Sequence, residues 1–207
     1  MSLARVHNFA ISLDGFGTGE GQTQEAPFGH AGHRLHEWML ATQWWNEMVG
    51  KPGGSSGIDD AFSQRFAPGI GAEIMGANKF GPPGWHEDPD WKGWWGPNPP
   101  FHTPTFILTH QPRPPIEMEG GTTFHFIDAS PAEALEIARE AADGQDVRLG
   151  GGPTMINGFL AAGLVTTCTS WSSRSCSAEA YVSGTDWRAS RRTIRSRPHP
   201  RPAASRI

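Results

Sequence analysis

The stretch Asp146-Val147-Arg148-Leu149-Gly150-Gly151-Gly152-Pro153-Thr154-Met155-Ile156 decides how the chain folds. A short apolar strand, Asp146 to Leu149, runs into three glycines, and a helical pattern carrying Met155, Ile156, Phe159 and Leu160 follows at once over 154–162. So short a strand-to-helix junction belongs to a parallel sheet, where each strand hands over to a helix lying on the sheet face. Adjacent glycines there let backbone N–H groups and a helix N-terminus approach a phosphate without Cβ obstruction. They equally serve a tight turn that needs positive φ. The pattern is neither GxGxxG nor a Walker loop, so spacing alone leaves the two readings even.

Working outward, Ser130-Pro131-Ala132-Glu133 combines an N-cap Ser, a Pro at the first helical position and a Glu completing a capping box. Ala134, Leu135, Ala138, Ala141 and Ala142 form the apolar stripe of that helix, and Gly144 closes it. Further strands are predicted at 6–13, 72–76, 105–109 and 122–127, and one helix at 35–49, where Leu35, Trp38, Met39, Thr42, Trp45 and Val49 fall at helical spacing. The alternation predicts an α/β fold: a mainly parallel, doubly wound sheet with helices on both faces. The loop 81–104 is too long to be a mere connector, and its Trp85, Trp91, Trp94 and Trp95 either pack as a lid on apolar surface or stack on a flat ligand.

Composition narrows the class. The chain has 207 residues, 37% hydrophobic and 18% charged, with 26 Gly and 18 Pro, which predicts one ordinary domain rich in loops. No apolar run approaches the roughly 20 residues of a membrane span, and 1–5 show no signal-peptide pattern, so a soluble, cytoplasmic protein without a membrane partner is expected. Two cysteines, Cys168 and Cys176, supply neither a disulfide framework nor a cysteine-based zinc site. His30, His33 and His36 recur every third residue, a spacing that drifts round a helix instead of converging on one ion, so they read as solvated and no metal is expected. Among the carboxylates Asp14, Glu37 and Glu47, the first two are the best candidates for proton donation, Asp14 after the first strand and Glu37 beside an apolar stripe. No nucleophile–base pair is visible, which fits a reaction whose hard step belongs to a cofactor.

Several short motifs then line up in order. They are Phe9-Ala10-Ile11-Ser12-Leu13-Asp14-Gly15, Leu35-His36-Glu37-Trp38-Met39, Ile74-Met75-Gly76-Ala77-Asn78-Lys79-Phe80-Gly81-Pro82, Phe106-Ile107-Leu108-Thr109-His110 and Met118-Glu119-Gly120-Gly121-Thr122-Thr123-Phe124. Val147-Arg148-Leu149-Gly150-Gly151-Gly152 and Phe159-Leu160-Ala161-Ala162-Gly163-Leu164-Val165 complete the series. Over about 5–165 the chain resembles the dihydrofolate reductase-like family, in particular the reductase domain of bacterial bifunctional riboflavin-biosynthesis deaminase-reductases.

The resemblance implies NADPH-dependent hydride transfer to a pteridine- or pyrimidine-type heterocycle. It implies that Gly150, Gly151, Gly152, Pro153 and Thr154 hold the pyrophosphate and nicotinamide side. Gly76, Asn78 and Lys79 would meet the cofactor phosphates, Thr109 and His110 would flank the adenosine, and Ala10 and Ile11 would lie near the carboxamide. Where the family usually carries Arg after the Met-Gly pair, this chain has Ala77, which weakens a 2′-phosphate clamp unless Lys79 or Arg113 supplies the charge.

The tail departs from the family. Residues 1–165 carry 9 Lys/Arg against 19 Asp/Glu, whereas 166–207 carry 8 Arg against Glu179 and Asp186, with 9 Ser and no Leu, Met or Phe. Such a composition is not expected to make strands or a packed core, so the C-terminal strands of the fold, and the homodimer they would permit, are expected to be missing and the chain poorly folded. One reading is a basic, non-catalytic arm that touches nucleic acid. The other is a lost base. With GC-rich codons for 166–188 and one G added in front, the new frame reads DDLHLVVVPVLLGRGVRLWDGLE, an acidic turn, a buried-strand pattern and a Leu-Gly-x-Gly turn. The second reading is favoured, and nucleic acid is not the expected partner.

Overall fold

The fold is taken from a computed structural model, which describes residues 2–12, 16–172 and 180–181. It is α/β. Seven strands form one sheet in the order β5-β6-β4-β3-β7-β1-β8: β1 (Ala4–Ile11), β3 (Ile70–Gly76), β4 (Pro104–Leu108), β5 (Ile116–Glu117), β6 (Thr123–Ile127), β7 (Asp146–Gly151) and β8 (Thr167–Ser172). Every neighbour is parallel except the short β5 against β6. A separate ribbon pairs β2 (Thr18–Gly19) with β9 (Ala180–Tyr181).

Side-chain alternation along β3 shows how the sheet divides the interior. Ala72 and Ile74 face one way, joining Val6, Phe106, Val147 and Leu149 beneath α5 (Pro131–Ala141) and α6 (Pro153–Ala161). Met75 faces the other way, with Ile107, Phe124 and Phe126. The capping box of α5 forms as its sequence predicts: Ser130 Oγ accepts from the Glu133 N–H while the Glu133 carboxylate accepts from the Ser130 N–H.

Helices lie on both faces of the sheet, unequally: α5 and α6 share one, while α4 (Ala77–Phe80), the segment following α3 (Ile58–Ser63) and aromatic side chains cover the other. Large rings supply much of the apolar area there. Two expectations are corrected. The helix predicted over 35–49 is broken into a 3-10 turn at Gly32–Leu35, α1 (Glu37–Leu40) and α2 (Gln43–Met48). The cause is Thr42, fully buried, whose hydroxyl donates to the Met39 carbonyl and accepts from the Trp45 N–H, so it ends one turn and caps the next.

Secondly, 167–172 is a strand. It runs parallel to β1 from Arg5↔Thr167 to Ile11↔Ser172, and the Thr166 N–H donates to the Ala4 carbonyl. Ladder hydrogen bonds are made by the backbone, and Thr and Trp suit a pleated edge, so the segment pairs without the aliphatic run a central strand needs. The rest of the basic tail, apart from Ala180–Tyr181, lies outside the described residues.

Candidate functional site

At the carboxyl edge of the sheet, register sets four strand ends side by side. Met75 pairs with Gly151, Gly76 with Leu108, and Leu108 with Ile127, so the order across the edge is β7, β3, β4, β6. Ligands of parallel sheets bind outside this edge. Gly151 has φ 113, a conformation that only glycine takes without strain, and Gly152 is the N-cap of α6 with no side chain capping it. A Cβ built on Gly152 meets nothing within 4 Å, so the turn faces open space. A Cβ on Gly76, one strand over, would stand 3.7 Å from the Gly152 nitrogen. The glycines therefore form a cradle that side chains would fill.

Behind the cradle lies a buried ionic triad. Glu73 (2% exposed) accepts from Arg148 at 3.1–3.2 Å and from Lys79 Nζ at 3.1 Å. Lys79 also donates to the Gly150 carbonyl at 2.8 Å, tying the glycine turn to the start of α4. The Arg148 guanidinium lies 3.6 Å from the Phe66 ring centroid. Burial lowers the Lys79 pKa, opposed by the Glu73 carboxylate and reinforced by Arg148; burial likewise lowers that of Arg148, again opposed by Glu73. With both bases charged, two cations share one carboxylate, leaving one net positive charge behind the cradle.

The remaining candidate residues are distributed unevenly. Ala10 is buried and Ile11 half-buried at the end of β1, Thr109 is half-buried just beyond β4, and Asn78 is exposed on α4. His110 is exposed and pairs with Asp128 at 2.9 Å. Pro153 and Thr154 open α6. Asp14 lies outside the described residues. Glu37 projects to solvent, 63% exposed, 3.8 Å from the equally exposed His33.

His36, read from sequence as solvated, is instead tucked against Phe28 with ring centroids 4.3 Å apart, and its Nδ1 lies 3.3 Å from the Gly32 carbonyl. Burial pushes its pKa down to about 4; the Gly32 carbonyl opposes this, and His33 and Lys79 add to it. Its i,i+3 spacing to His33 carried no sign of this, because Phe28 approaches from a preceding loop.

The tryptophans resolve toward packing. Trp85 is buried against Phe80 and Phe126, Trp95 meets Phe101 at 4.8 Å, and Trp91 Nε1 donates to the Phe80 carbonyl at 3.2 Å. Arg113 is spent here too. Its guanidinium lies 4.6 Å from Phe126 and 5.0 Å from Trp85, and it donates to the carbonyls of Asp88 and Trp91. Glu73, the hub of the triad, was missed from sequence; the signal was an acid inside the otherwise apolar Ile70–Gly76 strand.

No family model matches the chain, and no curated protein matches it. Among the described residues no helix is long and apolar enough to cross a membrane, and no three His, Cys, Asp or Glu residues gather as a metal site.

Proposed function

We propose that the chain is a nicotinamide-dinucleotide-dependent reductase of a pteridine- or pyrimidine-type heterocycle, in a dihydrofolate reductase-like fold; the resemblance names NADPH as the dinucleotide. The observation that carries this reading is the open glycine cradle at the head of α6, backed by the buried cluster of Lys79, Arg148 and Glu73 that ties it to β3. A dinucleotide is the kind of ligand such a cradle fits, because its pyrophosphate is anionic and needs close backbone approach.

In this reading Gly151, Gly152 and the first turn of α6 hold the pyrophosphate, and Gly76 leaves room for it on the β3 side. Lys79 keeps the Gly150 carbonyl turned inward, so that carbonyl does not repel the phosphates. Ala10 and Ile11 border the nicotinamide, and Thr109 and His110 border the adenosine. The bound dinucleotide supplies a hydride; the protein orients it and excludes water. The proton comes from a carboxylate, Asp14 or Glu37, or from water that it orders.

The test is a titration of the full chain with NADPH and with NADH, following nucleotide fluorescence and the heat of binding. Saturable binding, with oxidation of the nucleotide on adding a reducible pterin or ribosylamino-pyrimidine, is expected. Failure of both nucleotides to bind folded protein would reject the reading.

A further inference from the structure

The end of the crevice farthest from the nicotinamide is where a phosphorylated and an unphosphorylated dinucleotide differ, by one dianionic group on the adenosine ribose. Resting on the reading above, that ribose lies across the ends of β3, β4 and β6, whose next residues are Ala77, Thr109 and Asp128. Register holds these three ends together: Gly76 pairs with Leu108, Leu108 with Ile127, and the Thr109 N–H donates to the Ile127 carbonyl.

The basic residues on the segments that leave β3 and β4 (Lys79, His110 and Arg113) are engaged elsewhere. Lys79 is bound to Glu73 and the Gly150 carbonyl. Arg113 is held inside the aromatic face by two backbone carbonyls. His110 is paired with Asp128. Ala77 offers no charge, and its methyl packs on the aromatic cluster. The same edge is acidic: Asp128, half-exposed, opens a groove continued by Glu133 and Glu136 of α5 and floored by Ala129, Ala132 and Ile137. A 2′-phosphate would bring about two negative charges toward these carboxylates, with Lys79, Arg113 and His110 already engaged by other partners. A 2′-hydroxyl, by contrast, can donate to a carboxylate oxygen, the arrangement by which an acid at a strand end selects unphosphorylated dinucleotides in other parallel sheets.

We propose that this chain discriminates against the 2′-phosphate and uses NADH, with Asp128 as the specificity-determining residue and His110 as the group that positions it. Ala77 marks the place where a clamping cation is absent.

The test is direct binding of NADH and NADPH to the full chain, by calorimetry and nucleotide fluorescence, for the native protein and for Asp128→Asn and Asp128→Lys. Asp128 is exposed, so both variants are expected to keep the native melting temperature. The native chain should bind NADH at least tenfold more tightly than NADPH. Asp128→Asn should narrow that ratio, and Asp128→Lys should reverse it. Native protein that prefers NADPH, or a ratio unmoved by both variants, overturns this inference and leaves the reductase reading standing. Binding of neither nucleotide overturns both.

Discussion

Gly152 and Gly150 sit two positions apart and answer to opposite demands. A Cβ on Gly152 would enter open space, and its backbone, φ −78 and ψ −171, is one any residue adopts. Gly152→Val should therefore lower the melting temperature only slightly, through the poorer N-cap, while weakening dinucleotide binding at least tenfold, read by calorimetry. A Cβ on Gly150 would meet Glu73 Oε1 and lie 2.7 Å from Lys79 Nζ, so Gly150→Ala should unfold at lower denaturant. Glu73→Gln strands two buried cations, and losing the charge of a buried partner costs about 3–5 kcal/mol, measurable by urea denaturation. His36 adds a pH dependence. Its folded pKa is about 4, below the ordinary 6.5, so the unfolded chain takes up its proton first as pH falls. That contribution to stability is intact above about pH 6.5 and is lost between there and pH 4, at up to about 1.4 kcal/mol per pH unit. His36→Phe should flatten this slope in melts run across that range.

Elements whose signals are local were legible in the sequence. Ser130 to Glu133 announced α5 by its cap, and Gly150 to Thr154 announced the β7–α6 junction; Ser130→Ala should cost α5 about 1 kcal/mol in thermal unfolding. Elements set by distant partners were not legible. The Thr42 break depends on Ser55, whose N–H donates to the Ala41 carbonyl and whose own carbonyl accepts from the Gln43 N–H. β8 depends on the exposed edge of β1, where Asn8 takes φ 54 and donates to the Ser63 carbonyl, and the β1–β8 register shifts between Val6 and Phe9. At the candidate site the glycines were readable because their chemistry is backbone chemistry. The triad was not, since Glu73, Lys79 and Arg148 come from three elements, and only the sheet register brings β3 and β7 together at Glu73↔Arg148.

For the whole molecule, the sheet is strongly sided, with aliphatic residues under α5 and α6 and rings on the reverse. β8 occupies the outer flank of β1, and the shifted frame would place Asp-Leu-His-Leu-Val-Val over the same six positions, 167–172. Alternating aliphatics there suit a sheet strand better than the present Thr-Cys-Thr-Ser-Trp-Ser. Restoring the frame by one base should therefore raise the melting temperature by several degrees. Gene reads that uphold the present frame, together with no gain in the restored chain, would retire the lost-base explanation. The ring-lined side carries a practical consequence as well. Trp85, Trp91 and Trp95 are fixed there by Phe80, Phe101 and Phe126, while α5 and α6 contribute no tryptophan to the other side. Three of the nine tryptophans thus report on one layer, and comparing emission colour with far-ultraviolet dichroism during denaturation would reveal whether the two layers let go together or in turn.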